Sequence, residues 1–358
     1  MSGQTSGLRR IPPLLARAWH LRKFLTPFKL ANICLVKLQW LLRTEYVIGR
    51  PYAITIEPTN FCNSNCRLCP TNQRGLSREK GVLQWEPYRD WIDRYSPWIY
   101  EVSLAFWGEP LLAPNICRMI TYAHDKRIRT FLSTNLHALR PERGDASALV
   151  ASGLDKLTCS LHAASQGTYE VYQPGKEFEA AVNKIRAITD VRQRSGSKTP
   201  EVLLNFVVTR FNEHEIPAFT GLAHELGCEP QFTPASLNLR FIPSENRDGE
   251  IENRLRNWLP RDPAYVLEPY RRMLDGAEVN SPKARHACKE LWVHLYISWD
   301  GMVYPCWAPG GHDQAFGDLA VQSLGEIWNG PRYRAARRRA TDRNGDDVIC
   351  AHCCGTAL

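Results

Sequence analysis

The sequence predicts an α/β fold, a partial (β/α)6 TIM-type barrel with a small cysteine-rich domain at its C-terminal end. Three observations predict it. From residue 51, strand-length apolar runs alternate with helix-length amphipathic stretches. Six such units fall within residues 51–240, short of the eight of a closed barrel. The cysteines gather in two main groups, one just after the first strand run and one beyond residue 287.

Residues 1–50 read as a basic helical extension. They hold nine Lys or Arg and one acid, Glu45, which accounts for the whole net charge of +8. The remaining 36 bases and 36 acids cancel. The excess argues for an acidic surface partner near the extension, or for a solvated basic helix, and gives no sign of nucleic-acid binding. Within it, "ANICLVKLQWLL" (31–42) predicts an amphipathic helix that packs on the body. Its basic and aromatic flanks leave a membrane-surface role open.

The six predicted strands are "YAITIEP" (52–58), "EVSLAFWGEP" (101–110), "RTFLSTN" (129–135), "KLTCSLHA" (156–163), "EVLLNFVVTR" (201–210) and "EPQFTPAS" (229–236). Helical patterns such as "WEPYRDWIDRY", "PNICRMITYAHDK", "FEAAVNKIRAITDVRQ" and "EIPAFTGLAHELG" lie between them. Near-continuous apolar strands joined by helices imply a parallel sheet covered on its outside. Polar and special residues sit at the C-terminal ends of the runs: Glu57, Gly108, Glu109, Ser133, Asn135, Ser160, His162 and Asn205. Parallel barrels build their active sites at that edge. Residues 241–287 read as a linker with some helix, and residues 288–358 as the second domain, with one helix running on from Ser323.

No run of eighteen apolar residues occurs, so no transmembrane segment is expected. A signal-peptide layout is absent too, and a cytoplasmic protein is the expectation. Twelve cysteines in a reducing compartment favour metal or redox sites over disulfides.

The segment "EPTNFCNSNCRLCPTNQ" places Cys62, Cys66 and Cys69 in a C-x3-C-x2-C spacing just after the first strand. Three thiolates in one loop suit an iron–sulfur cluster with one iron left open. A three-cysteine zinc site completed by a distant histidine is the alternative. In its barrel context the loop resembles that of the radical S-adenosylmethionine (SAM) enzymes. The resemblance covers about residues 51–240. It implies that Cys62, Cys66 and Cys69 hold a [4Fe–4S] cluster whose open iron chelates SAM, and that reductive cleavage of SAM yields a 5′-deoxyadenosyl radical. "WGEP" resembles the family's GGEP segment, with Trp107 in place of the first glycine. The resemblance then puts backbone carbonyls of Gly108, Glu109 and Pro110 near SAM's amino group, and gives Ser133 and Asn135 to its ribose or carboxylate. Ser160 and Asn205 are implied as further SAM-site residues, and Leu68 as an adenine contact. His162 stands where the family commonly has Asp, which makes it a candidate acid or base, or equally a histidine hydrogen-bonded to SAM or to a neighbour.

Cys288 and Cys306 frame "YISWDGMVYPCW", a predicted hairpin with Asp-Gly at its turn. Cys350, Cys353 and Cys354 follow in "CAHCC". C-x12-G-x4-C followed by C-x2-C resembles the SPASM and twitch extensions of radical SAM enzymes. Cys288, Cys306, Cys350 and Cys353 would then hold one closed auxiliary [4Fe–4S] cluster. Four-cysteine zinc is the alternative, and Cys354 is a spare ligand or a free thiol. Cys34, Cys117, Cys159 and Cys228 read as buried small hydrophobes.

A closed cluster can accept an electron. The first expectation is therefore an oxidoreductase that turns a carbinol of a small sugar-like or aminocyclitol substrate into a ketone, as in related dehydrogenases of aminoglycoside antibiotic biosynthesis. Candidate bases are His162, His294 and His312. Peptide modification is a second expectation. Radical epimerisation is a third, with Cys354 or Cys159 as hydrogen donor. A flavodoxin- or ferredoxin-like reductant is implied throughout.

Overall fold

Each of the six apolar runs folds as a strand, and the strands pair in chain order. The computed structural model describes residues 22–71, 78–242, 247–275, 288–307 and 311–341. The strands are β1 (Ala53–Ile56), β2 (Glu101–Ser103), β3 (Arg129–Thr134), β4 (Lys156–Ser160), β5 (Glu201–Val208) and β6 (Glu229–Pro234), all parallel to their neighbours. An N-terminal helix, α1 (Pro27–Leu41), precedes them. Helices α2 (Trp85–Tyr95), α3 (Ile116–Asp125), α4 (Asp145–Ala151), α5 (Gln166–Tyr172), α6 (Phe178–Arg194) and α7 (Ile216–Glu225) form the connections. The α2 helix shows why they cover the sheet. Tyr88, Trp91, Ile92 and Tyr95 recur at helical spacing and are buried.

The pleat sorts residues into two faces. Outward-pointing Val102, Leu132, Leu157, Cys159, Leu204 and Phe206 are at most 2% exposed beneath the helices. Fully burying each such side chain is worth about 1.5–3 kcal/mol. The inner face carries Thr55, Ser103, Ser133, Thr158, Ser160 and Asn205 among the apolar Phe131, Leu203 and Val207, so hydroxyl and amide groups reach the barrel lumen.

The C-terminal segment does not stand apart from this sheet. Strand β7 (His294–Ile297), which follows the short helix α10 (Glu290–Val293), pairs in parallel with β1, from Ala53↔His294 to Ile56↔Ile297. Antiparallel β8 (Met302–Tyr304) and β9 (Gly317–Asp318) extend it. Among the described residues the sheet is thus nine-stranded and open, ordered β6-β5-β4-β3-β2-β1-β7-β8-β9. Gly301 turns the hairpin at φ +90°, a conformation that glycine adopts without strain. The predicted linker contains α8 (Arg247–Trp258) and α9 (Glu268–Leu274).

Two sequence expectations change. The helix from Ser323 is two helices, α11 (Leu324–Trp328) and α12 (Pro331–Thr341), divided at Asn329 and Gly330. Pro331 cannot continue a helix from within, and the Asn329 side chain is drawn off to bond both N–H and C=O of Val47. Cys34, expected to be buried, is exposed on α1. Among the described residues, no helix is long and apolar enough to cross a membrane.

Candidate active site

The loop after β1 is held open by its own side chains. Thr59 Oγ1 donates to the Gly81 carbonyl (2.7 Å), and Asn60 bonds Glu79 and Gly81 through both ends of its amide. This brings Cys62, Cys66 and Cys69 to the C-terminal edge of the strands, within electrostatic reach of one another. Burial raises all three thiol pKa values above the usual range; neighbouring thiols add to this for Cys62 and Cys66. Such thiols need a metal centre to hold them as thiolates. Asn135 Nδ2 donates to Cys62 Sγ at 3.7 Å, and Thr71 hydrogen-bonds Cys69. Among the described residues, no three His, Cys, Asp or Glu side chains gather tightly enough for a single metal ion.

Gly108 and Glu109 brace this loop from β2. A Cβ on Gly108 would lie 1.9 Å from the Thr59 carbonyl oxygen, so no other residue fits there. The Glu109 carboxylate is 2% exposed. It accepts from Thr134 Oγ1 (2.6 Å), Leu111 N–H (3.0 Å) and Asn135 N–H (2.8 Å). Burial raises its pKa, and these donors offset part of the effect. Its side chain is therefore spent on the protein rather than on a ligand. Pro110 is buried at the start of the next turn.

Other predicted residues divide. Ser133, Ser160 and Asn205 face the lumen, with Asn205 Oδ1 accepting from Thr233 Oγ1 (3.2 Å). Leu68 is 2% exposed in an apolar cluster with Ala235, Leu237 and Tyr270, anchors the loop, and lines a cavity beside Cys66. His162 has φ +59° and is fixed by β5: its Nδ1 accepts from Val207 N–H (3.1 Å), and its carbonyl accepts from Asn212 Nδ2 (2.8 Å). Burial lowers its pKa to about 4, with the Asn205 carbonyl offsetting part. The ring is neutral with its proton on Nε2, so it donates and has no lone pair left to act as a base. Cys159 points outward into the core and cannot reach a lumen substrate, which removes it as a hydrogen donor.

Beside β1, Cys288 and Cys306 both act on the Tyr296 hydroxyl, which donates to Glu290 Oε2 (3.0 Å). His294 stacks on Tyr296 at 4.4 Å, and its Nε2 meets Thr55 Oγ1 at 2.9 Å. Burial lowers the His294 pKa to about 3, with Lys289 adding to it. His312 is half-exposed, 3.3 Å from Asp300. Cys350, Cys353 and Cys354 lie outside the described residues.

Sequence reasoning missed the joint between the two halves. Arg78 meets Glu57 in a fully buried bidentate pair (2.8 and 2.9 Å). The same carboxylate accepts from Trp107 N–H on the SAM side and Trp299 N–H in the hairpin (3.3 and 3.4 Å). Glu57 at the end of the first strand was the one available signal. A cavity of about 540 Å³ opens beside Cys66, lined by Arg67, Phe241, Glu250, Asn253 and Trp258 among others.

Residues 56–221 match the family model described as the radical SAM superfamily, and residues 288–354 match SPASM, an iron–sulfur cluster-binding domain. The chain belongs to the radical SAM superfamily. It is a radical SAM enzyme with a C-terminal SPASM domain, and its cofactors are SAM, a [4Fe–4S] cluster and auxiliary iron–sulfur. One relative is a probable GTP 3′,8-cyclase of Methanocaldococcus jannaschii, 24% identical over 275 residues, or 71% of this chain and 84% of the relative. Another is a PqqA peptide cyclase of Gluconobacter oxydans, 25% identical over 296 residues, or 78% and 76%. A similar solved structure is Streptococcus suis SuiB bound to precursor peptide SuiA, at TM-score 0.59 and 14% identity over 94% of this chain and 75% of that one. That likeness is one of fold.

Proposed function

We propose that this radical SAM enzyme is a dehydrogenase of a small hydroxylated substrate of the sugar or aminocyclitol class. The observation that carries the reading is the set of hydroxyl and amide groups on the lumen face of the strands. Ser133, Ser160, Asn205 and Thr233 present hydroxyl and amide groups at its upper end, with Ser103 and Thr158 below. A polyol satisfies such groups, whereas an apolar substrate leaves them unpaired at about 1–3 kcal/mol each.

In this reading Cys62, Cys66 and Cys69 hold the SAM-binding cluster, and Cys288 and Cys306, with Cys350 and Cys353, hold one auxiliary cluster. The bound cofactors supply a 5′-deoxyadenosyl radical for hydrogen abstraction and an acceptor for the remaining electron. The hydroxyls of Ser103, Thr158 and Thr233 orient the carbinol, with Ser133, Ser160 and Asn205 left to SAM. His162 accepts from Val207 N–H through Nδ1 and keeps the β4 loop against β5.

The test is product analysis with reduced, cluster-loaded enzyme, SAM and a panel of aminocyclitols and sugars. Loss of two hydrogens from one substrate, with stoichiometric 5′-deoxyadenosine, supports the reading. Unchanged mass with one solvent deuterium at carbon would mean epimerisation and overturn it.

A second reading, modification of a ribosomally made peptide, has its own support. The PqqA peptide cyclase matches most of this chain, and the cavity beside Cys66 is lined by groups that can bond a peptide backbone. A mass change in a precursor peptide, with none in the polyols, selects it.

A further inference from the structure

Helix α1 is mounted with its polar side inward. Lys29, Asn32, Val36 and Gln39 form the buried face, at 1%, 8%, 2% and 7% exposure. The three polar members bond main chain of the body: Lys29 Nζ to the Arg127 carbonyl (2.6 Å), Asn32 to both N–H and C=O of Arg50 (2.9 Å each), and Gln39 Oε1 from Gly49 N–H (2.8 Å). The apolar side faces out. Phe28, Leu30, Leu38, Leu41, Leu42 and Ile48 are 51–74% exposed. Of the twelve large exposed hydrophobics among the described residues, seven fall between residues 28 and 48. Single exposed leucines need no explanation, but a cluster of this density on one element does.

Charge selects the occupant. Lys37 and Arg43 are exposed beside the apolar side chains. The one acid of this region, Glu45, is clamped by Arg338 through two 2.6 Å contacts, with Arg334 close by. Helix α12 brings those arginines and contains no acid. The surface is therefore apolar at its centre and cationic at its rim. A second copy of the chain would oppose like charges, and a nucleic acid would leave the leucines wet. We propose that this face docks on an anionic lipid bilayer, with α1 lying in the interface plane and Lys37 and Arg43 reaching the headgroups. The proposal does not depend on the identity of the substrate.

The experiment is flotation of the full-length, cluster-loaded protein with vesicles of phosphatidylcholine alone or mixed with phosphatidylglycerol. The expected result is co-flotation with the mixed vesicles and little with the neutral ones. Each exposed cation contributes about fivefold to partition. Lys37→Gln/Arg43→Gln should therefore weaken binding by about twenty-fivefold at low salt. Leu38→Ser/Leu41→Ser should abolish it, while Val321→Ser, an exposed apolar residue elsewhere, should leave it unchanged. Equal binding or no binding to both vesicle types overturns the proposal. So does a dimer in sedimentation velocity that Leu38→Ser/Leu41→Ser disperses, since the face is then a self-association surface.

Discussion

At Gly108, backbone contact decides the residue type. The neighbouring Thr59 carbonyl leaves no room for a Cβ. Gly108→Ala should destabilise the protein by about 1–3 kcal/mol, read by urea unfolding, and should lower iron retention because the same contact shapes the cysteine loop. The sequence made this position legible, since a glycine before Glu-Pro at a strand end matched the family pattern. The roles of its neighbours were not legible. The side chains of Glu109 and Asn135 look like ligand groups in a motif, yet they bond Thr134, Leu111, Cys62 and Asn63. A sequence lists donors and acceptors; which of them the protein itself consumes depends on contacts between β2, β3 and the loop. His162 illustrates the same point. Its place in the pattern was visible, but Val207 N–H, 45 positions away, fixes its tautomer.

At the element scale, α1 carries a buried lysine whose pKa burial lowers to about 8, with Arg127 adding to it. The unfolded chain keeps the ordinary value near 10.4. Between about pH 8 and 10.4 the unfolded state binds the extra proton, so stability rises with pH across that window. Below it, the full cost of the buried charge is present. Lys29→Met should flatten this part of the stability profile relative to the parent protein, measured by urea unfolding at stepped pH. The helix itself was predicted from "ANICLVKLQWLL". Its orientation was not, because amphipathic periodicity identifies two faces without saying which one meets the body. Here hydrogen bonds to Arg50, Gly49 and Arg127 outweigh burial of the leucines. The expectation of one helix after Ser323 failed for a related reason. Asn329 bonds Val47, nearly the whole chain away, and sequence neighbours carry no trace of that contact.

For the molecule as a whole, the six parallel strands followed from the alternation of apolar runs and helices, since each local pattern agreed with the global fold. The joining of the C-terminal hairpin to β1 did not, because a strand's sequence does not name its partner. Anaerobically reconstituted protein should hold iron for two [4Fe–4S] clusters. Cys288→Ala/Cys306→Ala should reduce this to one cluster while SAM cleavage persists, measured by iron assay and 5′-deoxyadenosine release. Iron for a single cluster in the parent protein would remove the auxiliary-cluster assignment.

The parallel pairing of β1 with β7 also bears on how the chain comes off the ribosome. β1 forms early, but the strand that covers its free edge ends at Ile297. At ~5–20 residues per second, that edge waits on the order of tens of seconds for its partner. During that time an unpaired row of N–H and C=O groups is open to a neighbouring nascent chain. Shielding of β1 during synthesis, by a chaperone or by slow assembly of the barrel, is thus a requirement set by strand order alone.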